Sequence, residues 1–376
     1  MRETLRRFPY FFMSKNSSYQ SYLDNLDFVR SSINWSNLNS FKKNIYTNLP
    51  ENSKYIDDLK KVEEKMNDFL CDDSWMGHCA KYQLQSGGKR FRSLLALITA
   101  DIFGMDKESA ILSAVCCEFI HNASLIHDDL QDRDLLRRGL PTIWNRFGDH
   151  TAINLGDYFI SGSFESLVRI NVDPQFKCNA VSELSRIIKQ TVKGQSLEIL
   201  GRSDIALKMH DYESTARAKT GGLICLPVKI IMSLKGIKNF KDQYFKPLYE
   251  TGLAYQIQDD LSDFLGIKDR GLPGRDLKEG KMNVLIMHFL KLATSGEKFL
   301  LQEFLKRKSE SISEDDILNW IKIIKGKGII EKSIEHLVTV SQKALEKSKD
   351  TDDKLHRIVK YVVKNILNRI SKKIKY

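Results

Sequence analysis

From about residue 56 onward the chain carries apolar residues at helical spacing. Leu94, Leu95, Ile98 and Ile102 keep the i, i+3/i+4, i+8 interval of one helix face. Ile111 to Ile126 is apolar almost throughout, which predicts a helix buried inside a bundle. Breakers are few and fall between such runs: Gly87-Gly88, Gly139 to Pro141, Gly221-Gly222, and the stretch Gly266 to Gly280. No alternating strand pattern of useful length and no repeat of 20–50 residues is present. The expectation is an all-α fold, one large helical bundle. Residues 14 to about 54 differ, being rich in Ser, Asn and Lys with scattered aromatics. We read 1–55 as an N-terminal extension of short helices and loops, and 56–376 as one all-α domain. The last 23 residues, Lys354 to Tyr376, carry eight Lys/Arg and no acid. There Leu355, Ile358, Val362, Ile366, Ile370 and Ile374 form a single helical stripe. A terminal helix docked on the bundle with a solvated basic face is expected; a weak membrane-surface contact or a basic flap over an anionic site is the alternative.

Composition narrows this little. Of 376 residues, 42% are hydrophobic and 28% charged, as in a soluble globular protein. No run of about 18 apolar residues is read from the sequence, so no membrane span is expected. The formal charge of +11 attracts anions: nucleic acid, anionic lipid or phosphorylated metabolites. No nucleic-acid-binding motif accompanies it. The six cysteines are scattered and form no CxxC pair, so reduced thiols are expected, without zinc or disulfides. Arg2, Arg6, Arg7 and Lys15 stand against one acid, Glu3, in the first 15 residues. An ordinary basic N-terminus and a cytoplasmic protein are expected, with a mitochondrial or plastid transit segment as the alternative.

Chemistry concentrates in two similar clusters, Asp128-Asp129-Leu130-Gln131-Asp132 and Asp259-Asp260-Leu261-Ser262-Asp263. Each reads DDxxD. On a helix, positions i and i+4 share a face, so Asp128 projects beside Asp132 and Asp259 beside Asp263. Two or three carboxylates then point at one spot, an arrangement that is repulsive without a cation. Hard oxygen ligands suit Mg²⁺, which bridges carboxylate to phosphate. A lone DDxxD is weak, because a solvated acidic face often produces it. Two copies, each following a long apolar helical run, are not explained that way.

Cationic groups accompany the clusters. Ser86-Gly87-Gly88-Lys89-Arg90-Phe91-Arg92 ends a loop and starts an apolar helix, a setting that suits a diphosphate. Arg137-Arg138-Gly139 follows the first cluster, Lys219-Thr220-Gly221-Gly222 lies at an expected helix break, and Lys278 and Lys281 lie beyond the second cluster. The constellation suits two diphosphates in one apolar cavity, one held by metals and leaving, the other held by Lys/Arg and staying.

These residues, in this order, resemble the trans-polyprenyl diphosphate synthase family over roughly four-fifths of the chain, from about Val62. The resemblance rests on GGKRFR, HDDLQDRDLLRRG, GDYF (Gly156 to Phe159), GQSLEI (Gly194 to Ile199), KTGG, YQIQDDLSDF and GRDLKEGK. It implies the isoprenoid synthase fold, with helices around a central apolar cavity, and a prenyltransferase that condenses isopentenyl diphosphate with an allylic diphosphate. It implies that Asp128, Asp129, Asp132, Asp259, Asp260 and Asp263 bind Mg²⁺, three ions per active site. Arg137, Lys219, Thr220, Gln256 and Lys281 would hold the allylic diphosphate. Lys89, Arg92, His121 and Arg138 would hold isopentenyl diphosphate. A homodimer is implied as well. Two departures stand out: Leu272 occupies a position where the family often has lysine, in a loop one residue shorter, and Ser93 stands where proline is common.

Product length is expected to follow side chains along the helix that ends in the first cluster. Ala123 and Ser124 are small, which implies C20 (geranylgeranyl diphosphate) or longer, with Phe119 or Ile120 as the stopper. A class I terpene cyclase would need neither the second DDxxD nor GGKRFR. A non-catalytic regulatory subunit would not be expected to keep the aspartates intact.

Overall fold

The computed structural model describes residues 52–237, 242–266 and 273–371. The extension reading for residues 1–51, the Leu272 position and Ile374 lie outside the described residues. A 3₁₀ turn at Asn52–Tyr55 leads into α1 (Ile56–Leu70), α2 (Trp75–Gln85), α3 (Phe91–Phe103) and α4 (Lys107–Gln131). A hairpin, β1 (Leu136–Arg137) and β2 (Leu140–Pro141), follows, then α5 (Ile143–Phe147), α6 (Asp149–Val168), α7 (Pro174–Leu200) and α8 (Met209–Ala216). A π-helical turn, Arg217–Gly221, joins α8 to α9 (Gly222–Leu234). Next come α10 (Lys246–Phe264), α11 (Arg275–Lys278), α12 (Val284–Leu292), α13 (Ser295–Leu305), α14 (Glu314–Gly326), α15 (Ile329–Lys349) and α16 (Asp353–Ser371).

Several helices begin where the sequence supplies a side-chain cap. Asp106 accepts from Ser109 N at 2.9 Å to start α4, and Asn283 accepts from Ile286 N at 3.1 Å to start α12. The central helix α4 packs against α1, α3, α6 and α9, and α10 packs against the π turn, α15 and α16. Helix α6 approaches α4 closely through glycine: a Cβ on Gly156 would fall 2.0 Å from His127 Nε2. By length and apolar composition α4 could cross a bilayer, although no such run was read from the sequence; 89% of its most apolar window is buried in the bundle, as befits a core helix.

Two further expectations change. The sequence reading found no strands, yet the hairpin after the first cluster pairs Leu136 with Pro141 and Arg137 with Leu140. Strands of two residues are too short to show alternation; the turn between them, with positive φ at Arg138 and Gly139, is what closes them. Gly221-Gly222 does not break the chain either, because helical structure continues through the π turn. In α16, Leu355, Ile358, Val362 and Ile366 are fully buried, so the terminal stripe is docked on the bundle. All six cysteines are free.

Candidate active site

The C-terminal ends of α4 and α10 open onto one cavity of about 510 Å³. Of the first cluster, Asp128 and Asp132 line it; of the second, Asp259 and Asp260 do. The middle aspartate of the first cluster faces elsewhere. Asp129 is buried and accepts from Arg137 Nε at 2.7 and 2.8 Å and from Arg137 Nη2. Asp263 is also buried, and its carboxylate accepts from Asp276 N at 3.1 Å. Neither lines the cavity: in the first cluster consecutive helix positions diverge by about 100°, so Asp129 need not share the face of Asp128, and in the second the Asp276 N–H engages Asp263.

Cations bracket the first wall. Lys219 Nζ lies 3.5 Å from Asp128 and 3.2 Å from Glu198. Lys281 Nζ lies 2.5 Å from Asp132 Oδ2, and Arg202 Nη2 bonds Oδ1 of the same carboxylate. Burial raises the pKa of Asp132, but Lys281 and Arg202 outweigh it and hold the carboxyl at about 2. Asp128 is pushed up by burial, which outweighs the opposing effect of Lys219. On the second wall Asp260 accepts from Tyr212 Oη at 2.7 Å, Gln256 Nε2 at 2.8 Å and Val284 N at 2.9 Å. Burial, then the neighbouring Asp276, lifts its pKa to about 8. Thr220 Oγ1 donates to Gln256 Oε1 at 2.8 Å, which links the π turn to α10.

A separate cationic pole lies at the start of α3. Arg92 Nη1 is 3.2 Å from His121 Nε2, and both residues line the cavity. Burial, then Arg92, Arg138 and Arg137, depresses the His121 pKa well below its ordinary value, so the ring is neutral. Arg92 Nε and His121 Nδ1 are buried without a hydrogen-bond partner, as donors for an anion would be. Arg138 and the exposed Lys89 do not line the cavity. Arg138 packs on the preceding loop: its guanidinium would lie 2.8 Å from a Cβ on Gly88.

The aspartates fit a divalent cation only in part on their own. Among the described residues no three His, Cys, Asp or Glu side chains converge on one point. Each wall offers one or two carboxylates, the number Mg²⁺ takes when waters and substrate phosphates complete its shell. Several lining residues carried no signal of their own in the sequence. Glu198 and Asp276 sat in quoted motifs without a role, and Tyr212 becomes visible only through the fold. The expected chain-length stoppers, Phe119 and Ile120, are buried but do not line the cavity. Phe119 packs edge-on against Phe69 and Phe159, with centroids at 6.1 and 5.6 Å. Ser124 and Leu125 line the cavity instead.

Comparison with known proteins agrees with this geometry. The profile of the family described as polyprenyl synthetase matches residues 73–323. The short chain isoprenyl diphosphate synthase of Methanocaldococcus jannaschii is 31% identical over 270 residues, covering 71% of this chain and 81% of that protein. The solved geranylgeranyl pyrophosphate synthetase of Geoglobus acetivorans superposes with a TM-score of 0.70 at 28% identity, over 84% of this chain and 98% of that one. A polyprenyl synthase structure from Caulobacter crescentus, at 22% identity, shares the fold with a TM-score of 0.73 over 84% and 95% of the two chains. With two-thirds of its length matched by the family profile and the motif residues gathered around one cavity, the chain belongs to the polyprenyl synthetase family.

Proposed function

We propose that this prenyltransferase joins isopentenyl diphosphate to an allylic diphosphate with the help of Mg²⁺, giving a product of C20 or longer. The observation that carries the reading is one cavity with inward carboxylates on two walls and a separate Arg92–His121 pole. The arrangement suits two diphosphates with different fates. Asp128 in α4, Asp132 at its C-cap, and Asp259 and Asp260 on α10 are the residues that would hold Mg²⁺, three ions in all. When bound, Mg²⁺ neutralises charge that develops on a departing diphosphate.

The chain's own groups do the rest. Lys219, Thr220, Gln256 and Lys281 bind and orient the allylic diphosphate, and Lys219 and Lys281 stabilise it as the C–O bond breaks. Arg137 fixes the first wall through Asp129. Arg92 and His121 hold the diphosphate of isopentenyl diphosphate, with Arg138 and Lys89 adding positive potential nearby. Leu125, Leu207, Leu223 and Tyr255 supply apolar lining that shields the allylic cation from water. The double bond of isopentenyl diphosphate attacks that cation, and the proton then lost passes to the released diphosphate. Ser124 in the lining, with small Ala123 beside it, leaves room for chains of C20 and beyond. A homodimer, a cytoplasmic location, no nucleic-acid partner, and a catalytic body at 56–376 preceded by an extension at 1–55 complete the reading. Any membrane contact by α16 would be electrostatic, because its apolar face is committed to the core.

The test is incubation with Mg²⁺, isopentenyl diphosphate and C5, C10, C15 or C20 allylic diphosphates, with dephosphorylated products sized by mass. Linear products that grow by C5 units, and no reaction in excess EDTA, are expected. Cyclic hydrocarbon formed without isopentenyl diphosphate would instead indicate a terpene cyclase, and no turnover would refute the reading for the isolated chain. Within an active enzyme, Arg92→Ala is expected to raise the KM for isopentenyl diphosphate about 10- to 100-fold, the cost of one or more charge-assisted bonds. The allylic KM should stay within about twofold. Equal rises in both would show that Arg92 serves the fold rather than one substrate.

A further inference from the structure

Asp132 is gripped on both oxygens by cations from distant parts of the chain, Lys281 on Oδ2 and Arg202 on Oδ1. Lys281 belongs to a motif read from the sequence; Arg202 belongs to none of them. Arg202 itself does not line the cavity and reaches it through Asp132; its loop follows directly from α7 at Gly201, a lining residue three positions beyond the cavity-lining Glu198.

That loop is built to hold its place. Ser203 is one of four non-glycine residues described with positive φ, at +58°. Its N donates to Gly280 O at 2.9 Å and its Oγ donates to Leu305 O at 2.7 Å. A Cβ on Gly280 would meet Ser203 Oγ at 2.6 Å, so only glycine allows this approach. Arg202 and Lys281 are each one residue from the Ser203–Gly280 bond. The two cations are thus fixed relative to each other, and a strained conformation is retained to do it.

The guanidinium is only half used. Arg202 Nη2 is engaged by Asp132, while the adjacent Nε is buried without a hydrogen-bond partner. Nε and Nη2 form one edge of the planar fork, an edge whose two parallel N–H bonds match two phosphate oxygens. Where Asp132 is given over to a divalent cation, Arg202 and Lys281 become two adjacent positive groups facing the same place. We propose that Arg202 is a diphosphate-binding residue of the allylic half-site, exchanging Asp132 for phosphate through its Nε–Nη2 edge.

The proposal rests on the prenyl-transfer reading, and its test separates the two. Binding of inorganic diphosphate with Mg²⁺ is measured by calorimetry for the wild type, Arg202→Ala and Arg202→Lys, alongside the KM for each substrate. Both variants are checked for an unchanged thermal midpoint; if alanine fails to fold, the lysine variant carries the test. Arg202→Ala is expected to weaken diphosphate and raise the allylic KM about tenfold or more, with the KM for isopentenyl diphosphate unchanged within about twofold. Arg202→Lys, which keeps the charge but not the fork, should recover part of the loss. An active wild type whose folded variants bind diphosphate normally, or whose two KM values rise together, would overturn the assignment. A wild type that neither binds diphosphate nor transfers prenyl groups would remove the underlying reading, and the assignment with it.

Discussion

Asp128→Ala is expected to lower kcat about 10²- to 10³-fold and raise the Mg²⁺ concentration for half-maximal rate about tenfold or more. Asp128 lines the cavity at the end of α4, on the face it shares with Asp132, and Lys219, at 3.5 Å, is the main cation opposing its charge. Its neighbour in sequence should behave differently. Asp129 is buried against Arg137, with two bonds at 2.7 and 2.8 Å to Nε. Asp129→Ala would leave a buried guanidinium deprived of its main partner, at a cost of about 3 kcal/mol in stability. Its Mg²⁺ midpoint should be nearly that of the wild type. The paired measurement is a Mg²⁺ titration of initial rate together with a denaturation midpoint for each variant. If Asp129→Ala shifts the Mg²⁺ midpoint as far as Asp128→Ala does and leaves stability untouched, the two carboxylates have been assigned to the wrong faces.

That contrast marks the boundary of what the sequence could say. The helical period from residue 56 onward, the buried run from Ile111 to Ile126, and the two carboxylate clusters were all legible, because each is a local pattern with a physical cause. Which way Asp129 or Asp263 turns was not. The i, i+4 rule groups Asp128 with Asp132 and Asp259 with Asp263, yet the second pairing fails at the cavity because α11 brings the Asp276 N–H to Asp263. Tyr212 illustrates a second limit. Its hydroxyl bonds Asp260 from 48 residues away, and a single tyrosine in a polar stretch has no local pattern to announce that contact. The hairpin at 136–141 was hidden for a third reason: its stability lies in a turn between strands too short to alternate.

Gly221-Gly222 was read as a break, and its use in the structure leads to the remaining large effect. The pair does not interrupt the helical path; it lets one backbone touch another. A Cβ on Gly252 would fall 2.1 Å from Gly221 Cα and 2.4 Å from Gly221 N. Both obstructing atoms are backbone, so no rotamer change can relieve the overlap, and α10 must part from the π turn. Gly252→Ala is therefore expected to destabilise the fold by about 3 kcal/mol, the upper part of the usual range for overpacking. For a chain of this size that corresponds to a fall of about 4 °C in thermal midpoint. The damage should reach the chemistry, because this contact sets the spacing between Thr220 and Gln256, now bonded at 2.8 Å, and positions Lys219 against Asp128. A displacement on the order of 1 Å there is expected to lower kcat about 10²-fold at temperatures where the variant is still folded. Thermal denaturation and steady-state rates on the same preparation measure both effects. An alanine variant with the wild-type midpoint and rate would mean that the two backbones do not meet at Gly252, and that Lys219 and Thr220 owe their position to something other than this glycine contact.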